Sequence, residues 1–347
     1  MNFIFETHPK ETLDGLRTDK IPDQVPIIPF AKKLIQELYG KMISFLILKD
    51  NKLIFESYYN DNKPEILHHT FSVTKNIISL LVGRAIELNI LKLNDLNCSI
   101  VNFFPEVDRK KITPNWQYST LHDSLNMTSG VKGIKAATEN LKLNERNLKP
   151  YEFVEHAFTY SNPIFQDKSK RHFYYQPRDP AFVALILNER LKGKMKEFVK
   201  SFFEDLNIFN YNWDVGSCDV LRGDAGLHLT ARDLIKIGNL ILNQGKLQEK
   251  QYINKDFLQK SISPIYKERT QRAYGYYWWI ENFEIKNQLI TEISARGHMG
   301  HYIFIYPELN LQFVLNGNNP RMGIAPMKQK DGHLFKDLRN DILAYFL

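Results

Sequence analysis

The chain has 347 residues, of which 43% are hydrophobic, and only two of them are cysteines. This composition supports a large core and disfavours both a disulfide framework and a zinc site, and no apolar run is long enough to span a bilayer. The net charge of +7 comes from scattered basic residues, without the compact basic stripe that is typical of nucleic-acid-binding proteins. Because the first residues also lack the pattern of a signal peptide, we expect a soluble cytoplasmic protein with no nucleic-acid or membrane partner.

The predicted elements begin with an N-terminal arm. Residues 1–28 are polar and contain several prolines, and a helix is predicted from about Ala31 to Tyr39. Two β-rich runs follow, Ile43–Leu48 and Leu53–Tyr59. The polar residues 49–52 between these runs predict an antiparallel hairpin.

Helical periodicity dominates from about residue 70 to 265, and strand character returns after residue 270. The predicted helices cover residues 72–89, 149–158, 180–191, 194–205, 230–244 and 254–261. The predicted strands cover residues 274–280, 288–294, 302–306 and 311–315, and an amphipathic helix is predicted at 334–346. Strands near both termini with helices between them predict an α+β fold, an α/β sandwich in which an antiparallel sheet built from both termini is flanked by helices.

We therefore divide the chain into an N-terminal arm and helix, residues 1–40, and one domain, residues 41–347. Within that domain, residues 41–69 and 270–347 form the predicted sheet sub-domain, and residues 70–269 form a mainly helical sub-domain. Clefts commonly form where such sub-domains meet, so a site is expected near residue 72.

The candidate nucleophile lies at that junction. Ser72 and Lys75 are three residues apart, so they share one face of a helix, and the apolar stretch Asn76–Val82 follows directly. A lysine whose pKa is lowered by burial can take the proton of a serine hydroxyl. The pattern alone also fits a capping serine followed by a solvated lysine. The unbroken apolar flank favours the chemical interpretation, because a helix that is apolar on every side is buried.

Two further segments complete a pattern of motifs. Phe173–Pro180 leads into a predicted helix, and Ala295–His301 precedes a predicted strand. Together with Ser72-x-x-Lys75, these segments resemble the three motifs of the serine β-lactamase and penicillin-binding-protein superfamily. The chain is most similar to the class C β-lactamase-like group, which includes esterases, D-amino-acid peptidases and 6-aminohexanoate-dimer hydrolases. The resemblance extends from Ile43 to Asn318 and includes residues 125–130, 223–234, 274–279 and 307–310.

The resemblance implies a catalytic role for three residues. Ser72 would be the acylated nucleophile, and Lys75 would help to deprotonate it. Tyr175 would share proton transfer with Lys75 during acylation and activate water during deacylation. This role is consistent with physical chemistry, since a phenol near an ammonium is expected to be pushed toward phenolate and to become a usable base.

The third motif supplies the remaining candidate residues. The resemblance places His298 and Gly300 on a strand that lines the cleft, where a glycine lets the substrate approach the backbone closely. It also implies an oxyanion hole formed by the N–H groups of Ser72 and His301. His298 and His301 are three residues apart, but no third ligand accompanies them, so we expect neither a metal site nor a cofactor.

The chain departs from the β-lactamases of this branch at two motifs. Their second motif is tyrosine-x-asparagine, whereas here Tyr175 is followed by Gln176 and Pro177. Asp179 is expected either to supply a polar contact instead or to brace the loop. Their third motif begins with lysine, which His298 replaces, so the fixed positive charge for a β-lactam carboxylate is missing. Both departures disfavour penicillins and cephalosporins and are compatible with esterases and amide hydrolases.

The sequence therefore predicts a serine hydrolase that acts on small ester or amide substrates through an acyl-enzyme on Ser72. A catalytically silent ligand-binding or regulatory module on the same fold is an alternative, because Pro177 and His298 replace motif residues. A true β-lactamase is a further alternative. Arg178 and Arg296 flank the motifs and are candidate ligands for a carboxylate.

Overall fold

The computed structural model describes residues 4–35, 39, 41–131, 147–159, 171–263, 266–267, 272–320, 322 and 329–347. The helices are α1 (Ile27–Ile35), α2 (Val73–Glu87), α3 (Leu121–Leu125), α4 (Pro150–Thr159), α5 (Arg178–Arg190), α6 (Met195–Asp205), α7 (Ala231–Leu242), α8 (Lys255–Ser261) and α9 (Gln329–Asp337). The strands are β1 (Ile4–Glu6), β2 (Arg17–Thr18), β3 (Met42–Lys49), β4 (Lys52–Tyr58), β5 (His68–His69), β6 (Asn212–Trp213), β7 (Leu227–Leu229), β8 (Lys246–Leu247), β9 (Lys250–Gln251), β10 (Tyr266–Lys267), β11 (Arg272–Gly275), β12 (Trp278–Ile285), β13 (Gln288–Gly297), β14 (His301–Tyr306) and β15 (Leu311–Gly317).

One large sheet joins the two ends of the chain. Its order within the described residues is β1-β4-β3-β15-β14-β13-β12-β11-β10, with β2 beside β4. Neighbouring strands are antiparallel, apart from the parallel pair β2 and β4. The predicted hairpin is confirmed as β3 and β4, and β15 pairs with β3. The helices α2 to α8 are inserted between β4 and β10, which confirms the predicted α+β fold.

Both faces of this sheet are buried, because side chains alternate between the faces along each strand. In β3, Leu46 and Leu48 belong to the core that the sheet shares with the inserted helices. Phe45 and Ile47 point the other way, into a second core formed with α1 and α9. The sheet is therefore the middle of three layers. Among the described segments, none of the helices combines the length and apolar character that a bilayer crossing requires.

The N-terminal arm differs from its prediction in two respects. It contributes β1 and β2 to the large sheet, where the sequence indicated only an extended arm. Helix α1 also begins at Ile27 and not near Ala31. Pro29 fits there because the N–H groups of a first helical turn have no intrahelical partner, so proline loses no hydrogen bond. Of the predicted end of this helix, residues 36–38 lie outside the described residues.

A buried arginine of α7 holds the arm against the sheet. Arg232 donates from Nε to Oε2 of Glu56 at 2.9 Å and from Nη2 to Oε1 at 2.6 Å. Its Nη1 donates to the Thr12 hydroxyl at 2.9 Å and to Oδ2 of Asp14 at 3.2 Å. Since the Arg232 side chain is 7% exposed, removing it would leave the Glu56 carboxylate buried without its cationic partner.

We predict that Arg232→Met lowers the free energy of unfolding by roughly 3 kcal/mol, because one partner of a buried ion pair is lost. The arm should also become a site of proteolysis within residues 7–16. Urea denaturation and limited proteolysis with mass spectrometry measure the two effects. The exposed Arg17 provides the matched control, Arg17→Met. Equal stability of Arg232→Met and the wild type would show that the pair does not anchor the arm.

Candidate active site

Helix α2 brings the predicted nucleophile and its base together. Ser72 is the N-cap residue of α2, and Lys75 lies in the first turn. The Lys75 ammonium donates from Nζ to Ser72 Oγ at 2.8 Å and to the carbonyl oxygen of Asp224 at 2.6 Å. Lys75 is only 4% exposed, because α2 is buried on every side from Val73 to Gly83, as the sequence predicted. The alternative of a solvated lysine is therefore wrong.

The surroundings of Lys75 favour its neutral form. Burial lowers the pKa of Lys75 to about 8, with the Asp224 carboxylate opposing this shift and Arg222 reinforcing it. Arg222 itself pairs with Asp224, from Nε to Oδ1 at 3.1 Å and from Nη2 to Oδ2 at 2.9 Å. The charge of Asp224 is thus partly neutralised, and it stabilises the Lys75 ammonium less than a lone carboxylate would. A usable fraction of Lys75 is able to accept a proton near neutral pH.

Tyr175 completes the group around Ser72. Its hydroxyl is hydrogen-bonded to the Ser72 side chain, and Lys75 Nζ lies 5.1 Å from the centroid of its ring. The ring stacks on Trp279, with centroids 6.2 Å apart. Burial raises the pKa of Tyr175 well above its ordinary value, although the hydrogen bond with Ser72 opposes the rise. The expectation that Tyr175 is pushed toward phenolate is therefore wrong, and the phenol keeps its proton in the free protein.

The third motif forms a turn where a strand was predicted. His298–Gly300 connects β13 to β14, with Met299 at φ 67° and Gly300 at φ 96°. Gly300 requires glycine because residues with a side chain rarely adopt a φ of 96°, and a Cβ there would also lie 2.9 Å from Sδ of Met322. His298 is exposed, with its ring centroid 5.7 Å from that of Phe71, beside the nucleophile. The strand that lines the site begins only at His301.

The imidazole of His301 is buried behind the site. Its Nδ1 lies 2.9 Å from Oδ1 of Asn316, whose Nδ2 donates to Ser44 Oγ at 2.9 Å. Since the amide oxygen faces the ring, Nδ1 carries the proton. Burial lowers the pKa of His301 to about 4, so the ring is neutral at physiological pH. Only the backbone of His301 is left for an oxyanion, and the predicted oxyanion hole with Ser72 stays a prediction.

Backbone geometry just before the nucleophile depends on another histidine. Phe71 has φ 48°, and its N–H donates to Nδ1 of His69 at 2.8 Å. His68 and His69 form β5, which pairs with β7. Among the described residues, no three His, Cys, Asp or Glu side chains are grouped so as to hold a metal ion.

A turn between β11 and β12, which the sequence did not predict, is held by Asn76 of α2 and by Asn126. The predicted strand 274–280 is interrupted at Tyr276 and Tyr277, whose φ values are 39° and 76°. Asn76 of α2 donates from Nδ2 to the Tyr277 carbonyl at 2.8 Å, and the Tyr276 N–H donates to Oδ1 of Asn126 at 3.2 Å. Such turns usually contain asparagine or glycine, so a Tyr-Tyr pair gives no sequence signal.

Comparisons with known proteins bear on the fold. No family model and no curated protein matches the sequence. Among solved structures, a Bacillus anthracis protein provisionally named as a 6-aminohexanoate-dimer hydrolase is 17% identical, with a TM-score of 0.66 over 96% of this chain and 86% of its own. A β-lactamase/D-alanine carboxypeptidase from Pseudomonas syringae is 13% identical, with a TM-score of 0.65 over 90% and 97% of the chains. A D-stereospecific amidohydrolase from Streptomyces sp. is 12% identical, with a TM-score of 0.60 over 84% and 92%.

This chain has the serine β-lactamase and penicillin-binding-protein fold. The resemblance that the sequence motifs indicated is thereby confirmed at the level of the fold. Within this fold, Ser72, Lys75 and Tyr175 are in mutual contact, as the resemblance implied.

Two other candidate residues are buried away from the site's surface. Asp179 is fully buried and accepts hydrogen bonds from Ser124 Oγ at 3.3 Å and from Gln176 Nε2 at 3.2 Å. It therefore braces the loop that carries Tyr175. Arg296 is 2% exposed and pairs through Nη2 with Glu281 and Glu292. It is not a surface ligand for a carboxylate.

The buried carboxyl of Asp179 makes stability depend on pH. Burial raises the pKa of Asp179 to about 7, compared with about 3.9 in an unfolded chain. Between these two values the folded protein holds a proton that the unfolded chain has released, so this group's contribution to stability falls as pH rises from about 4 to 7.

We predict that the stability of Asp179→Asn, measured relative to the wild type, increases as the pH is raised from 5 to 7.5. The gain over this window is about 2.5 kcal/mol, because roughly two of the three pKa units that separate the folded and unfolded carboxyl lie above pH 5. Urea denaturation of both proteins at the two pH values measures it, and comparing pH values cancels any fixed cost of the amide. Asp219→Asn, at an exposed carboxyl, is the control. A stability difference that does not change with pH would contradict the raised pKa.

Proposed function

We propose that this protein is a serine hydrolase that cleaves small esters or amides, including peptide-like amides, through an acyl-enzyme on Ser72. The observation that carries the proposal is the 2.8 Å hydrogen bond between Ser72 Oγ and the buried Lys75. A lysine whose pKa is lowered to about 8 has the property that activation of a serine requires. The names of the structural neighbours, which include an amidohydrolase and a carboxypeptidase, support the same reaction class.

Acylation assigns one task to each of the three residues. Neutral Lys75 takes the Ser72 proton as Oγ forms a bond to the substrate's carbonyl carbon. The N–H groups of Ser72 and His301 stabilise the negative charge that develops on the carbonyl oxygen. As the bond to the leaving group breaks, the Tyr175 phenol gives its proton to the departing nitrogen or oxygen. Tyr175 then recovers a proton from the Lys75 ammonium, which leaves Lys75 neutral.

Deacylation uses the same residues in reverse. A water molecule attacks the acyl carbon, and its proton passes to the Tyr175–Lys75 pair. When the bond to Ser72 Oγ breaks, the pair returns that proton to Oγ, and the carboxylic acid product leaves. All groups end in their starting protonation states, so neither metal nor cofactor enters the proposal.

The departures from the β-lactamase motifs favour substrates other than β-lactams. His298 occupies the position of a motif lysine and lies in an exposed turn, and Pro177 offers neither a side-chain amide nor an N–H group. We therefore propose short esters and D-amino acid or ω-amino acid amides as the substrates to test first.

We predict that a fluorophosphonate probe forms a single adduct on the wild type and none on Ser72→Ala. The reason is that only an activated serine reacts readily with this electrophile. Intact-protein mass spectrometry measures the adduct, and peptide mapping locates it. Ser79→Ala, at a buried serine on the same helix, is the matched control and should be labelled like the wild type.

Other outcomes of this labelling experiment distinguish the alternatives. An adduct that persists in Ser72→Ala would exclude Ser72 as the nucleophile. A folded wild type that forms no adduct would favour the silent ligand-binding module. Turnover of nitrocefin at ordinary enzyme rates, abolished in Ser72→Ala, would favour a β-lactamase.

We predict that kcat/KM for a neutral ester rises with pH along a limb whose midpoint lies near pH 8. The limb reflects the loss of a proton from Lys75, because only its neutral form accepts the Ser72 proton. Initial rates between pH 5.5 and 9.5 measure it, and the rate of fluorophosphonate labelling should follow the same limb. A profile that is flat from pH 6 to 9 would rule out Lys75 as the base.

A further inference from the structure

A histidine holds the backbone immediately before the proposed nucleophile. Phe71, which directly precedes Ser72, has φ 48°, a value that aromatic residues rarely adopt. Its N–H donates to Nδ1 of His69 at 2.8 Å, and the centroids of the two rings lie 4.1 Å apart. Since Nδ1 accepts this bond, the neutral ring carries its proton on Nε2. A proton on Nδ1 would replace the acceptor with a second donor and break the bond.

His69 is itself fixed by the pairing of β5 with β7. It lies opposite His228, and the centroids of the two rings are 4.8 Å apart. The next residue, Thr70, donates its N–H and its hydroxyl to the Leu227 carbonyl, at 2.8 and 2.9 Å. A Cβ on Gly297 would lie 2.7 Å from the Thr70 carbonyl oxygen, so the third-motif segment packs closely on the same backbone. The Nδ1 acceptor is therefore held at a fixed position.

Phe71 connects this histidine to both N–H groups of the proposed oxyanion hole. The first belongs to Ser72, which follows Phe71 in the chain. The second belongs to His301, whose ring lies against that of Phe71, with centroids 5.3 Å apart. A change of φ at Phe71 would reorient the peptide that carries the Ser72 N–H and move the aromatic ring relative to His301. Such displacements are costly, because misplacement by about 1 Å can slow a reaction by about a hundredfold.

We propose that His69 is a positioning residue whose neutral Nδ1 holds Phe71, and through it the Ser72 N–H, in the arrangement that acylation requires. The inference rests on the proposed function and adds to it a residue that acts through its neighbours. It follows that the reaction slows when His69 gains a proton on Nδ1.

The surroundings of His69 determine the pH at which that proton is gained. The charged and titratable groups that act on it from other elements are His228 of β7, His301 of β14, and Asp214, Arg222 and Asp224 between β6 and β7. Burial lowers the pKa of His69, the basic neighbours His228 and Arg222 reinforce this shift, and the two carboxylates oppose it. The ring therefore gains its proton only below the ordinary histidine value of about 6.5. As the pH falls through that range, this loss of rate should add to the one that protonation of Lys75 causes.

The rate constant for fluorophosphonate labelling of Ser72, measured from pH 4.5 to 9.5, tests the proposal. His69→Leu removes the acceptor, whereas His69→Asn keeps an amide oxygen near the position of Nδ1 and does not titrate. At pH 8, His69→Leu should be labelled about tenfold to a hundredfold more slowly than the wild type, and His69→Asn should restore most of the rate.

The pH profile separates positioning by a neutral imidazole from a merely structural role. The ratio of the wild-type rate to the His69→Asn rate should be constant above about pH 7 and fall by about tenfold toward pH 4.5, the effect of one lost hydrogen bond. Because it is a ratio, the dependence on Lys75 cancels. His333→Asn is the matched control, since His333 is exposed on α9, across the large sheet from the site. Its ratio to the wild type should not vary with pH.

Two outcomes would overturn the inference alone, in a protein whose Ser72 is labelled. One is a ratio of wild type to His69→Asn that does not change with pH, because any acid limb would then belong to another group such as His228. The other is equal labelling of His69→Leu and the wild type at pH 8. If His69→Leu does not fold, the profile of His69→Asn still decides. A folded wild type whose Ser72 is not labelled would remove the proposed function and the inference with it.

Discussion

The site depends on the burial of one cation. A lysine ammonium without water is unstable unless other groups replace its hydration, and Lys75 has two such groups, Ser72 Oγ and the Asp224 carbonyl. Each comes from a different part of the chain, so holding Lys75 also fixes the nucleophile against the loop that ends at Asp224. Because these two groups replace the hydration of the ammonium only in part, the pKa of Lys75 falls to about 8. The arrangement that organises the site is thus the same one that prepares a base.

Some of the residues with unfavourable backbone conformations border the site that contains this cation. Phe71, Tyr276, Tyr277 and Met299 have left-handed φ values although none is glycine, and each lies in a segment that borders the site. Such conformations persist only where neighbours over-determine them. His69 supports Phe71, while Asn76 supports the turn at Tyr276 and Tyr277 from the first turns of α2. Helix α2 therefore supplies the proposed catalytic pair on one face and a structural support on another, which explains why polar Asn76 is buried within an apolar run.

The sequence predicted what depends on local pattern and composition. The apolar flank of Ser72 and Lys75 correctly indicated a buried helix, and the β-rich runs correctly indicated a hairpin. Both predictions succeeded because they depend on the pattern of apolar residues within a short stretch of sequence. The features that the sequence did not predict depend on contacts between segments that are distant in sequence. The turn at Tyr276 and Tyr277 exists because distant asparagines hold it. The direction of the Tyr175 pKa shift depends on how deeply the phenol is buried, and this burial cannot be predicted from the motif.

The opposite pKa shifts of Lys75 and Tyr175 have one cause. Burial disfavours charge, so it removes a proton from an ammonium more readily and from a phenol less readily. The pKa values of two groups that are both protonated near neutral pH in water are thereby separated, which suits the lysine to the proposed role of acceptor and the tyrosine to that of donor. Acyl transfer needs one group to receive the serine proton and another to supply a proton to the leaving group. A single apolar environment therefore accounts for both proposed roles, and since both groups contact Ser72, the proposed proton path from nucleophile to leaving group is short.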